Sequence, residues 1–77
     1  MRPTPKAGQK YRHFKGNEVV ILGTAIHTET NERLVIYQHD KDVWARPVDM
    51  FLSEVDHEKY PDVSQKYRFE EIVQAFV

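Results

Sequence analysis

No cysteine occurs among the 77 residues, so no disulfide can hold this chain together. That absence fits a reducing compartment. A domain this short buries only about 60% of its unfolded surface. It must therefore rely on a thin apolar core, a metal or a partner copy. No apolar run approaches the ~18 residues that a membrane span needs. The opening MRPTPKAGQK is polar and proline-bearing, without the apolar stretch of a secretion signal. The expectation is a soluble, cytoplasmic, single-domain protein with no membrane contact. A glycine-rich phosphate loop, an H-E-x-x-H pair and a nucleophile elbow are missing as well, so no cofactor is expected.

What is present is unevenly charged. Residues 1–16 carry Arg2, Lys6, Lys10, Arg12 and Lys15 and no acid, whereas residues 49–77 carry three bases against seven acids. A basic arm on an acidic body can reach phosphates, but it can equally lie over the acidic part of its own chain.

The pattern of apolar residues is that of short strands. Residues 1–9, with Pro3, Pro5 and Gly8, read as an irregular arm. KYRHF (Lys10–Phe14) alternates aromatic and polar groups, and KGN after it is turn chemistry, which predicts a positive φ at Gly16. EVVILGTAIHT (Glu18–Thr28) is a long strand with apolar residues at both parities, and Gly23 in its middle predicts a bulge or bend. ETNE turns the chain at Asn31, RLVIYQH (Arg33–His39) returns, and DKD leads into VWARP (Val43–Pro47), which Pro47 stops. Met50 and Phe51 fall in one helical turn that plugs the core. KYRF is a candidate last strand. Phe69, Ile72, Val73 and Phe76 then stand at i, i+3, i+4 and i+7, a helical stripe. The expected fold is mainly β, a small SH3-like barrel or roll of about five antiparallel strands with a short C-terminal helix. The chain divides into an arm (1–9), a barrel (10–69) and a helical extension (70–77).

The segments YRHFKG, AIHTET, LVIYQ, WARP, MF and YRF occur in an order that resembles one bacterial family, domain of unknown function 1653. The resemblance runs from about Gly8 to Phe69 and implies an SH3-type barrel; it implies no activity. Relative to that family, the loop before Trp44 is short, Tyr67 replaces a proline, and Val20 and Ile26 stand where polar side chains are expected.

Six residues are candidates for a binding site: Tyr11, His13, His27, Tyr37, Trp44 and Arg46. Tryptophan, tyrosine and arginine together make binding hot spots, and also platforms for stacking bases. The competing reading makes Trp44 and a tyrosine core filler, and pairs Arg46 with Glu18, Asp49 or Glu54. His27 and Glu29 share a strand face, yet no further ligands stand at zinc spacing, so His27 is expected to bond within its own turn. Thr28 and Thr30 are expected to cap that turn. No catalytic residue and no metal are assigned. The leading expectation is a non-catalytic module for a protein or peptide partner. The alternatives are nucleic-acid contact through the basic arm and the aromatics, or an enzyme built on His13, His27 and Glu29. The apolar stripe of the tail is expected to pack on Val20, Leu22 and Ile26 of the barrel or on a second copy, giving a homodimer.

Overall fold

A computed structural model describes residues 2–73. Five strands and one helical turn follow in order: β1 (Lys10–His13), β2 (Glu18–Ile26), β3 (Arg33–His39), β4 (Asp42–Pro47), α1 (Val48–Phe51) and β5 (Phe69–Glu71). They form one antiparallel sheet in the order β4-β3-β2-β1-β5. The fold is mainly β, and the strongly bent sheet is consistent with a small roll, although it does not close on itself. The first four strands occur where the alternation and turn residues place them, and the plug is Phe51 alone, since Met50, expected beside it, is exposed. Gly16 has φ +101° in the β1–β2 turn, and Asn31 has φ +62° between β2 and β3. Asp40, at φ +57°, makes the β3–β4 turn, a left-handed position that aspartate tolerates.

The bulge explains the two apolar faces of β2. Ile21 pairs with Tyr37 and Gly23 with Ile36, so Leu22 is an extra residue with no partner opposite. Gly23 takes φ +154°, which favours glycine. Directly paired residues share a face. Val19 and Ile21 therefore point inward before the bulge, and after it the inward position is Thr24, which pairs with the buried Val35. Val20 and Leu22 point outward and remain partly exposed. Ile26, expected beside them, falls on the opposite face because the bulge has switched the parity.

Inside, Phe51 and Phe69 stack with centroids 4.1 Å apart, and Tyr11 and Tyr37 pack round Phe51 at 5.2 and 5.6 Å. Val19, Ile21 and Val35 complete this core, with Val48 and Leu52 packed against it. The structure corrects the C-terminal boundary. Phe69–Glu71 is not the start of a helix but a strand on the free edge of β1, with His13 opposite Phe69 and Tyr11 opposite Glu71. A strand spacing turns Phe69 inward, and Val73 is exposed. Phe76, with the remainder of the expected helix and its dimer contact, falls in residues 74–77 and lies outside the described residues.

The N-terminal arm is docked. Pro5 is fully buried, and the Gly8 N–H donates to the Ile21 carbonyl at 2.8 Å. The Arg2 guanidinium donates to the carbonyls of Leu52 (3.0 Å) and Phe69 (2.7 Å) and lies 4.0 Å from the Tyr67 ring centroid. The arm is held by backbone acceptors and an aromatic face rather than by the chain's own acids.

Candidate functional site

Strand alternation puts one set of side chains on the concave face: Tyr11 and His13 on β1, Tyr37 and His39 on β3, Trp44 and Arg46 on β4. Pairing fixes their neighbours. Trp44 stands opposite Tyr37, and Arg46 opposite Val35. The rim of this face opens as a cleft of about 200 Å³ lined by His13, Tyr37, Trp44 and Arg46, with Phe69 of β5 among its walls. Four of the six candidate residues therefore meet in one place. His39 joins them, and its position two residues from Tyr37 on the same strand was the available signal.

The roles within the cleft differ. Tyr37 is buried, and its hydroxyl accepts a bond from Arg46 Nε at 3.4 Å. The Arg46 guanidinium lies 5.6 Å from the Phe69 ring centroid. No acid pairs with it: among the described residues the one ion pair joins Arg12 to Glu18 at 3.6 Å. Trp44 is 50% exposed, so it is not core filler. It presents a large amphipathic surface to solvent from the sheet's edge strand.

His13 is half-buried against Phe14 and Phe69, at 4.4 and 4.8 Å between ring centroids. Its Nδ1 accepts the Lys15 backbone N–H at 3.2 Å, which requires that nitrogen unprotonated. Burial, then the charges of Arg46, Lys15, Arg68 and His39, lower its pKa from the ordinary 6.5. A histidine depressed in the fold takes up its proton more readily when unfolded. Its contribution to stability is thus present above about pH 6.5 and is lost as pH falls through the lowered folded value. Replacing His13 by Asn keeps an acceptor for Lys15 and removes the titration. The drop in Tm between about pH 7.5 and 5.5 is therefore expected to be smaller in His13→Asn than in the parent. Equal drops would assign the loss to other groups.

A second cleft, of about 310 Å³, adjoins the first and shares His13 and Arg46 with it. Its other walls bring Lys15, Lys59 and Arg68 together, with Asp56 as their acidic neighbour and Phe14 and Tyr60 as apolar surface. The Arg68 Nε is buried without a hydrogen-bond partner. Lys15 belongs to the basic run evident in the sequence; Lys59 and Arg68 come from the long segment after α1, whose path no periodicity reveals.

Two candidates do not join the cleft. Tyr11 is in the core, packed edge-on to Phe51, with its hydroxyl near Gln9 Oε1 at 3.4 Å. Burial chiefly, and Glu71 next, raise its pKa, and Arg2 opposes them. His27 sits at the end of β2, where its Nδ1 accepts the backbone N–H groups of Glu29 (3.1 Å) and Thr30 (3.3 Å). It caps its own turn, and the Thr30 hydroxyl accepts the Glu32 N–H at 3.2 Å in the same loop. His27 and Glu29 line neither of the two clefts that His13 lines. Among the described residues no three His, Asp or Glu side chains are grouped as metal ligands, and no helix is long and apolar enough to cross a membrane.

Comparison with curated proteins and with solved structures gives no match. The family comparison does: residues 9–71 match the model described as protein of unknown function (DUF1653), a span that takes in β1 through β5. With most of its length and its whole sheet inside that match, the chain belongs to the DUF1653 family.

Proposed function

We propose that this chain is a non-catalytic binding module that seats a segment of a protein or peptide partner in the cleft formed by His13, Tyr37, Trp44 and Arg46. The observation that supports the reading is the convergence of these four side chains, from three strands, on one open concavity. A half-exposed tryptophan beside an arginine held in place by a tyrosine hydroxyl is the composition of an interaction hot spot. Enzyme chemistry has less support, since it would need at least two of His13, His27 and Glu29 round one pocket. The nucleic-acid reading loses part of its basis as well, because Arg2 of the basic arm is engaged with Leu52, Phe69 and Tyr67.

The test is selection of displayed random peptides on the protein, counter-selected with the Trp44→Ala, Arg46→Ala double variant. Peptides should emerge whose affinity falls about tenfold or more on Trp44→Ala alone. Failure of any peptide to distinguish parent from double variant would reject the cleft as the site. Tighter saturable binding of a labelled oligonucleotide at low salt would move the assignment to nucleic acid.

A further inference from the structure

Resting on the binding-module reading, we propose that the segment it seats is acidic: an apolar or aromatic side chain enters the Trp44 cleft, and one or two adjacent carboxylates enter the Lys15–Lys59–Arg68 cleft. The two concavities share His13 and Arg46, so a ligand filling both carries its apolar and charged groups on neighbouring residues. Charge complementarity identifies the second group. The chain as a whole is net negative, with twelve acids against eleven bases. Yet cations from three separate segments converge here, with Asp56 as the acid among them. Lys15 and Lys59 lie over aromatic rings, at 5.7 and 5.5 Å from the Tyr60 centroid, rather than against carboxylates. Arg68 holds a buried Nε with no acceptor. Cations arranged in this way around an open concavity attract an external anion, and a planar guanidinium suits a carboxylate in particular.

The same charge distribution argues against a long polyanion. Nucleic acid is followed along its backbone by an extended basic track. The bases of this cleft are Lys15, Arg46, Lys59 and Arg68, and outside them the chain has seven bases against twelve acids. A short acidic stretch of polypeptide meets the cations without running on over like charge.

Trp44, the sole tryptophan, reports on its own cleft by fluorescence. Three capped peptides alike except in charge serve as probes: a phenylalanine flanked by glutamates, by glutamines or by lysines. A thymidine oligonucleotide is the fourth. At low ionic strength the glutamate peptide should bind about tenfold more tightly than its glutamine twin, with the difference shrinking as salt rises. The Lys15→Gln, Lys59→Gln double variant, altered only at exposed side chains, should lose most of that preference and keep its Tm. Equal binding of the glutamate and glutamine peptides, or better binding of the lysine peptide, would overturn the acidic assignment and leave the binding module standing. Silence from all three peptides, where selected peptides also fail, would bring down both. A preference for the oligonucleotide would replace the partner class.

Discussion

Truncation of Phe51 to alanine is expected to remove a large share of the chain's stability. Phe51 is fully buried and stands at the centre of the core, stacked on Phe69 at 4.1 Å with Tyr11 and Tyr37 packed beside it. Phenylalanine-to-alanine changes at such positions cost about 3–5 kcal/mol. A chain of this length has a total stability of only about 4–11 kcal/mol. In a domain of this size each kcal/mol moves Tm by roughly 4–8 °C, so a fall of about 12–40 °C is expected. Phe51→Leu, which keeps most of the volume, should lose less than half as much. Met50, its neighbour in the same turn, is 48% exposed, and Met50→Ala should stay within about 0.5 kcal/mol of the parent. Calorimetry of the three variants checks the ordering; a Phe51→Ala protein no less stable than Met50→Ala would mean that α1 does not plug the core.

The second large effect is expected at the other end of the chain. Arg2→Ala should lower stability by about 2 kcal/mol, roughly 8–16 °C in Tm. The loss comes from geometry rather than from charge. Chain leaving α1 at Leu52 and chain entering β5 at Phe69 are brought side by side by the bridge between Glu54 and Tyr67 and by the Arg68 N–H donating to the Ser53 carbonyl. Arg2 spans the two with charge-assisted bonds to both carbonyls while its plane covers Tyr67. Its removal leaves two carbonyls without that donor and uncovers the ring. Lysine offers a point charge where a planar fork is required, so Arg2→Lys should recover less than half of the loss. Thermal melts of the two variants decide it, and an unchanged Tm in Arg2→Ala would show that the Arg2 contacts contribute nothing to the fold in solution.

Much of this architecture is legible from local pattern, for reasons that also mark where legibility stops. The hairpins succeed because each turn carries its own chemistry, as at Gly16 and Asn31, and because RLVIYQH is a β-rich run bounded by turn residues on both sides. Phe69–Glu71 is misread because three residues are too short a window to show a period. What decides for a strand is the vacant edge of β1, a partner sixty residues away. Parity beyond the bulge fails for a related reason. Gly23 marks the irregularity, but the pairing with β3 sets which residue is the extra one, and Ile26 changes face with it. At the site, the strand-borne residues His13, Tyr37, Trp44 and Arg46 can be grouped once a curved sheet is assumed. Tyr11 sits one step too deep, and the cations of the long loop have no sequence period at all.

The strand order has a kinetic consequence. β2, β3 and β4 are consecutive hairpins, and each contact between them closes a short loop. β1 is flanked by β2 on one side and by β5 on the other, and the β5 pairing spans nearly the length of the chain. Loop closure on that scale is entropically unfavourable until the rest of the sheet is in place. The meander therefore forms early and β5 arrives last, bringing Phe69 onto Phe51. On a ribosome, residues 18–47 can pair as they emerge, while the aromatic stack and the cleft wall built on Phe69 must wait until β5 itself has emerged.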